Sequence, residues 1–199
     1  MTDRSGWLLG VHRQAEELLS DPECPERMNP FLRPEQIGKW RLDNVCGYYW
    51  YLHALIATTH PRKVVELGRC LGTSALFMLG ALDDGAMLIT VDIEERASDL
   101  SHQLHDPRLH LITGNDLDLA VYKGFDISAI DFLFIDTNHT CEQATKEWNL
   151  YLPLLSENAV VVFDDITMND MGSFWGGLSC AKLETGTTYH YTGFGLAAP

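Results

Sequence analysis

The sequence has little positive charge and no long hydrophobic segment, and both absences exclude classes of protein. Its 199 residues carry 14 Lys and Arg against 28 Asp and Glu, which gives a formal net charge of −14. A field of that sign repels polyanions and argues against DNA or RNA as a partner. No apolar run reaches the roughly 20 residues of a membrane-spanning helix, and no basic-then-apolar segment opens the chain. We therefore expect a cytoplasmic protein with no membrane partner.

Paired cysteines are missing as well. The five cysteines are scattered and odd in number, and none forms a C-x-x-C pair. Such a set predicts reduced thiols rather than a disulfide framework or a zinc site. The sequence also lacks repeats and low-complexity segments, and its 46% hydrophobic content indicates one globular unit with a full core. The cysteines are Cys24, Cys46, Cys70, Cys141 and Cys180.

The segment from Val64 to Leu76 predicts a strand, a glycine loop and a helix. A short apolar run containing Glu66 is followed by Gly-x-x-x-Gly and then by Thr-Ser and an apolar stretch of helical period. The first glycine, Gly68, allows a sharp turn, and the second, Gly72, allows a ligand or the next helix to approach closely. The third glycine of the dinucleotide fingerprint is absent. The loop favours a nucleoside-type cofactor, and a turn without a ligand is the alternative.

An acid at the end of the next predicted strand supports a cofactor. Asp92 closes the run Leu88–Asp92, about twenty residues after Gly72. A carboxylate at that place can accept both hydroxyls of a ribose. The alternative is an aspartate that only begins a helix.

Alternating strands and helices from Pro61 onward predict a parallel sheet with helices on both faces. The end of the chain, Thr187–Tyr191 and Phe194–Ala198 around Thr192-Gly193, predicts a hairpin with one antiparallel edge strand. Ligands of such sheets bind beyond the carboxyl ends of the strands. Strands are predicted at Val64–Gly68, Leu88–Asp92, Leu109–Thr113, Phe132–Asp136 and Val160–Asp164, and helices at Thr73–Leu82, near Glu95–Leu104, at Cys141–Leu155 and near Asp170–Leu183.

The first sixty residues predict helices with a proline-rich break between them. Apolar residues from Trp7 to Leu19 recur at helical spacing. The segment Asp43–Thr59 contains the aromatic run Tyr48–Tyr51, which we interpret as core, with a lid over the site as the alternative.

Three acids follow two strands that we expect to be neighbours. Asp136 ends the fourth strand, with His139 three residues on, and Asp164 and Asp165 end the fifth. Carboxylates that lie so close together raise one another's pKa unless a cation lies between them. Oxygen ligands suit Mg²⁺. The alternative is that these acids cap helices or face solvent and that His139 has no special role.

These motifs together resemble those of the class I S-adenosylmethionine-dependent O-methyltransferases. The segments are Glu-Leu-Gly-Arg-Cys-Leu-Gly-Thr-Ser-Ala, Thr-Val-Asp, Phe-Ile-Asp-Thr-Asn-His and Val-Phe-Asp-Asp-Ile, in the family's order over roughly residues 61–166. The resemblance is to the metal-dependent branch of catechol and macrolide or rhamnosyl sugar O-methyltransferases. It implies a doubly wound, Rossmann-like, seven-stranded α/β sheet, mostly parallel with an antiparallel last strand. Residues 1–60 would form a helical extension and residues 61–199 the methyltransferase domain.

The same resemblance implies the site residues. Catechol-type enzymes carry a lysine base where His139 stands, and usually Asp-Asn where this chain has Asp164-Asp165. In both respects this chain looks more like the sugar-modifying members. The resemblance implies that S-adenosylmethionine binds with its methionine part at Glu66, Gly68, Gly72 and Ser74, its ribose at Asp92, and its adenine at Asn115 and Asp116. It implies that Mg²⁺ binds at Asp136, Asp164 and Asp165. Asp136 would contact the cofactor as well as the metal.

The expected reaction is methyl transfer to a hydroxyl of a small molecule, such as a sugar, a natural product or a phenol. His139 would be the general base, since a histidine pKa of about 6.5 leaves the ring largely neutral. The alternatives are a metal-independent methyltransferase acting on an amine or carboxylate, a nicotinamide-dependent oxidoreductase, and a non-catalytic S-adenosylmethionine-binding protein. A homodimer is compatible with the apolar, aromatic N-terminal segment.

Overall fold

The computed structural model describes residues 3–21, 47–96 and 100–199. The expected proline-rich break, the start of the aromatic segment, Cys24 and Cys46 lie outside these ranges. Cys70, Cys141 and Cys180 are free thiols, as predicted. Within the described ranges, no helix has both the length and the apolarity that crossing a bilayer requires.

Seven strands form one sheet in the order β3-β2-β1-β4-β5-β7-β6. Strands β1 to β5 are parallel, and β7 is antiparallel to both β5 and β6. The predicted fold class is therefore confirmed. The strands are β1 (Lys63–Leu67), β2 (Met87–Asp92), β3 (Leu109–Thr113), β4 (Ile130–Ile135), β5 (Leu155–Asp164), β6 (Ala181–Glu184) and β7 (Phe194–Ala198).

The strand order reverses its direction between β1 and β4. The chain runs outward from β1 through β2 to β3 and then returns to build β4 on the other side of β1. In sheets of this kind, ligands bind beyond the carboxyl ends of the two strands at which the order reverses. The acids and glycines singled out in the sequence lie at this edge.

The described ranges contain five α-helices, which cover both faces of the sheet. Strand residues alternate between two cores, since Val64 packs on one face and Val65 on the other. The first core includes residues of α1, α2 and α3, and the second includes residues of α4 and α5. The helices are α1 (Arg4–Ser20), α2 (Gly47–Thr59), α3 (Thr73–Ala81), α4 (Cys141–Tyr151) and α5 (Met171–Gly177).

The aromatic run on α2 is mostly core, as we interpreted it. Tyr48, Trp50 and Tyr51 are buried, and Tyr49 is half-buried. Tyr51 stacks on Tyr189 with ring centroids 4.1 Å apart. Helix α2 therefore joins the N-terminal segment to the main core, and the boundary predicted at residues 60 and 61 stays a prediction.

Three element predictions were wrong in part. The helix expected near Asp170–Leu183 ends at Gly177, because Gly176-Gly177 disfavours helix and the next residues form the edge strand β6. That strand replaces Thr187–Tyr191 as the partner of β7. Near Glu95–Leu104, the described residues form only the 3₁₀ turn Leu100–Gln103.

Candidate active site

The glycine loop lies against the end of β4. Gly68 has φ 92°, and a Cβ placed on it would be 1.8 Å from the carbonyl oxygen of Asp136. Gly72 has φ 73° and precedes the first residue of α3. Only glycine permits the approach at Gly68, so the loop and the end of β4 meet through backbone.

Below the loop, Glu66 is fully buried on β1. Ser74, in the first turn of α3, donates its hydroxyl proton to Glu66 Oε1. Glu66 Oε2 is buried and has no hydrogen-bond partner of acceptable geometry among the described residues. Burial raises the pKa of Glu66 to about 7. The strand thus holds a buried acceptor under the loop.

Asp92 connects the end of β2 to the loop. Its Oδ2 accepts a hydrogen bond from the Cys70 N–H at 2.7 Å, and its Oδ1 accepts one from the Glu94 N–H at 2.9 Å. These bonds fix the orientation of the carboxylate. Each oxygen can accept more than one hydrogen bond, so both remain able to bind hydroxyl groups.

Arg69, which the sequence reasoning did not single out, also fixes the loop. Its side chain is buried, and Nη1 donates to the carbonyl of Thr90 at 3.3 Å and to that of Ile112 at 3.1 Å. These carbonyls belong to β2 and β3. A buried guanidinium therefore ties the loop to two neighbouring strands.

After β3 the two expected adenine residues have different surroundings. Asn115 is exposed, and its Oδ1 accepts a hydrogen bond from the Leu117 N–H at 3.0 Å, which forms a local turn. Asp116 is half-buried, and its carbonyl accepts a hydrogen bond from the Tyr151 hydroxyl at 2.7 Å. Asp116 is thereby attached to α4.

A second missed residue, Glu147, lies buried on α4. Its Oε1 accepts hydrogen bonds from Thr137 Oγ1 at 2.5 Å and from Gln143 Nε2 at 2.7 Å. Gln143 Nε2 also lies 3.4 Å from Asp116 Oδ2. Burial raises the pKa of Glu147 to about 8. Helical spacing from the buried Ala144 was the available signal, because it places Glu147 on the inner face.

The three predicted acids converge where β4 and β5 end. Asp136 follows β4, Asp164 ends β5, and Asp165 comes next with φ 55°. Side chains that could bind a metal form two overlapping groups here, and the ligand atoms within each group lie within 4.8 Å of one another. They consist of Asp136, His139 and Asp164 in the first and of Asp164, Asp165 and His190 in the second.

His139 lies between two of these acids. Its Nε2 is 3.1 Å from Asp136 Oδ1, and its Nδ1 is 3.0 Å from Asp165 Oδ2. Hydrogen bonds to Asp136 and Asp165 raise the pKa of His139 to about 10. We expected a neutral His139 ring, but with this pKa the ring is protonated at neutral pH unless a cation neutralises Asp136 and Asp165.

His190, in the segment before β7, is the functional candidate that we missed. Its Nδ1 lies 2.9 Å from Asp164 Oδ1 and 3.2 Å from Asp165 Oδ1. Thr192 donates its hydroxyl proton to Asp165, and its Oγ1 is 2.9 Å from the same His190 nitrogen. No local pattern in the sequence signals this position, which results from the antiparallel register that pairs Phe194 with Asp164 and returns the preceding residues to the end of β5.

Burial and hydrogen bonds shift the pKa values of these carboxylates in opposite directions. Burial raises the pKa of Asp164 to about 6 and also raises that of Asp136. Burial opposes ionisation of Asp165 too, but hydrogen bonds from His139, His190 and Thr192 bring its pKa below the usual range. The two histidines therefore supply positive charge that the sequence argument had assigned to a cation.

The donor set nevertheless fits a divalent cation. Asp164 Oδ1 is buried, and within the described ranges it has no hydrogen-bond partner of acceptable geometry, although His190 Nδ1 lies 2.9 Å away. Carboxylate oxygens are ordinary ligands of Mg²⁺, and imidazole nitrogens are ordinary ligands of first-row transition metals. Asp136 and Asp164 belong to the first group of potential ligands and Asp164 and Asp165 to the second, so Asp164 is common to both.

The fold is that of solved methyltransferases, and the family comparison agrees. Residues 65–166 match the family described as "Methyltransferase domain". The match covers half of the chain, and the protein belongs to this family. Mouse catechol O-methyltransferase is 29% identical in an alignment of 92 residues, and the match covers 43% of this chain and 35% of that enzyme. The chain thus spans about a third of the length of this curated relative.

Solved structures of O-methyltransferases share the fold over nearly the whole chain. The Bacillus cereus O-methyltransferase, solved in complex with SAH, is 20% identical with a TM-score of 0.59, covering 97% of this chain and 95% of that one. The O-methyltransferase TomG from Streptomyces achromogenes, involved in tomaymycin synthesis and solved with SAM, is 21% identical with a TM-score of 0.60. That match covers 100% of this chain and 90% of TomG. The resemblance to class I O-methyltransferases is confirmed, and the roles of individual residues stay predictions.

Proposed function

We propose that the protein transfers the methyl group of S-adenosylmethionine to a hydroxyl of a small molecule such as a sugar, a natural product or a phenol. The observation that carries this proposal is the contact between Gly68 and the Asp136 carbonyl. It joins the cofactor loop to the acid cluster, so a methyl donor on the loop lies beside the acids. The match to O-methyltransferases supports the same reaction.

The residues of the β1 and β2 edge suit S-adenosylmethionine. Its amino and sulfonium groups are positive; β1 offers the buried carboxyl of Glu66, and Asp136 lies nearby at the end of the adjacent strand β4. Gly68, Gly72 and Ser74 would surround the methionine part. Asp92 would accept the ribose hydroxyls, with the adenine by Asn115 and Asp116. The complexes of the B. cereus enzyme with SAH and of TomG with SAM support this choice of cofactor.

The acids and His139 suit activation of a hydroxyl. In the reaction, the acceptor oxygen bonds to the methyl carbon while the carbon–sulfur bond breaks, and the hydroxyl proton leaves. His139 is half-buried at the cluster and would take that proton. Asp136, Asp164 and Asp165 would hold a divalent cation, which would supply positive charge beside the deprotonated oxygen. It would also offset the two carboxylates that raise the pKa of His139.

A metal-independent methyltransferase is the second candidate. It is favoured by one observation, the pairing of each histidine with two acids, because this neutralises charge without an ion. A metal-independent enzyme would act on an acceptor that needs no stabilised alkoxide, such as an amine or a carboxylate.

Calorimetry and a methyl-transfer assay distinguish these candidates. Chelator-treated protein should still bind S-adenosylmethionine, transfer no methyl group to a panel of hydroxylated small molecules, and recover with Mg²⁺ or Mn²⁺. Asp136→Asn should weaken cation binding, whereas Asp84→Asn, at an exposed position between α3 and β2, should not. Undiminished turnover in chelator would establish the metal-independent candidate. Failure to bind either S-adenosylmethionine or its demethylated product would contradict both.

A further inference from the structure

His190 lies where a ligand of the divalent cation would lie. The antiparallel return of β7 brings it to the end of β5, and a single ring nitrogen, Nδ1, meets both Asp164 and Asp165. Its two distances, 2.9 and 3.2 Å, resemble the spacing of neighbouring ligands around one ion. Two ligands at right angles with metal bonds of about 2.1 Å are about 3.0 Å apart.

The ring is held rigidly in this position. His190 is 7% exposed, and its ring centroid lies 4.8 Å from that of Tyr48 on α2. Thr192 Oγ1 lies 2.9 Å from Nδ1 and donates to Asp165, so it orients the ring and the carboxylate together. A buried, oriented imidazole loses little conformational freedom on binding an ion.

The two histidines of the cluster have different environments. His139 uses both ring nitrogens, one toward Asp136 and one toward Asp165, and it is half-buried at the opening of the site. His190 is buried behind the acids and presents one nitrogen to them. The side chain of His139 is 22% exposed against 9% for His190, so His139 is the more accessible of the two to an acceptor from solvent.

We propose that His190 Nδ1 is a protein ligand of the divalent cation, beside Asp164 and Asp165, and that it shifts the preference of the site from Mg²⁺ toward Mn²⁺. The proposal rests on the cation of the proposed function. Imidazole suits first-row transition metals, whereas Mg²⁺ binds oxygen ligands and keeps several waters. An imidazole in a carboxylate set therefore raises affinity for Mn²⁺ more than for Mg²⁺.

Pulsed electron paramagnetic resonance of the Mn²⁺-loaded protein tests the ligand directly. A bound imidazole nitrogen gives a hyperfine coupling to Mn²⁺ that carboxylates and water do not. The wild type should show this coupling. It should be lost in His190→Phe, which keeps an aromatic ring against Tyr48, and kept in His139→Ala. Calorimetric competition should show the preference for Mn²⁺ over Mg²⁺ falling at least about tenfold in His190→Phe.

The outcomes separate this inference from the proposed function. Bound Mn²⁺ without imidazole coupling in the wild type would overturn the ligand assignment while leaving the cation site intact, and this measurement needs no variant. Coupling that persists in His190→Phe, or in His190→Ala if the first variant does not fold, would overturn it as well. A wild type that binds neither Mn²⁺ nor Mg²⁺ would overturn the cation site itself.

Discussion

Replacing Gly68 by alanine tests the contact on which the architecture of the site depends. The new Cβ would be 1.8 Å from the carbonyl oxygen of Asp136 and 2.6 Å from its carbon. Cβ atoms essentially never lie under 3.0 Å from such neighbours, so the distance between the new Cβ and the oxygen must increase from 1.8 Å to at least 3.0 Å. Both are backbone, so no side chain can rotate away to relieve the contact.

Two terms contribute to the loss of stability. A non-glycine residue at the positive φ of Gly68 costs about 1–3 kcal/mol. Forcing the loop away from β4 adds an overpacking cost of about 1–3 kcal/mol. Together they amount to about 2–6 kcal/mol, which is a large part of the roughly 5–15 kcal/mol that stabilises a typical domain.

Gly124→Ala is the matched control, because Gly124 has φ 98° against 92° for Gly68 and nothing lies within 4 Å of its Cβ position. Denaturant unfolding should show about 1–3 kcal/mol lost in the control, and about 1–3 kcal/mol more in Gly68→Ala. Calorimetry on folded Gly68→Ala should show that its affinities for cofactor and cation both fall. Equal losses of stability in the two variants would refute the contact.

Three further outcomes follow from the site. Asp92→Ala should weaken S-adenosylmethionine binding at least tenfold in calorimetry, since each bond to a charged group contributes about 1.5–3 kcal/mol; unchanged affinity would contradict the ribose assignment. His139→Ala should keep cofactor binding and lose about 10²–10⁴ in turnover, and wild-type turnover at neutral pH would show that another group takes the proton. Glu147, with its pKa raised from 4.5 to about 8, holds a proton in the folded state that it loses on unfolding, so its contribution to stability falls as pH rises through that window. The free energy of unfolding of Glu147→Gln relative to the wild type should therefore rise by up to about 1.4 kcal/mol per pH unit, and a flat difference would contradict this.

The sheet was predictable because its strands are short apolar runs bounded by turn residues. The convergence of Asp136, Asp164 and Asp165 followed from the same reasoning, since each ends a strand and parallel neighbours end at one edge. Strand β6 was not predictable in this way. Its four residues, Ala181–Glu184, alternate apolar and polar side chains, but this alternation is too short to distinguish a strand from the continuation of a helix.

The missed residues share a physical reason. Arg69, Glu147 and His190 are polar side chains that are buried in the fold. Whether a polar side chain is buried depends on which elements pack against it, and a local sequence pattern does not show this. The position of His190 depends on the pairing of β7 with β5, which no local pattern specifies. The pairing of Asp164 and Asp165 with an imidazole was missed for the same reason, because His190 comes from a distant part of the chain.

The place of β7 in the sheet has a consequence for the order in which the protein is made. It lies between β5 and β6, although it follows both in the chain. During synthesis the glycine loop, Asp92 and the parallel strands are complete while β6 still has no neighbour to pair with. Asp164 and Asp165 precede β6 in the chain, whereas His190 and Thr192 come between β6 and β7. The acid cluster therefore gains His190 and Thr192 only when β7 inserts between β5 and β6.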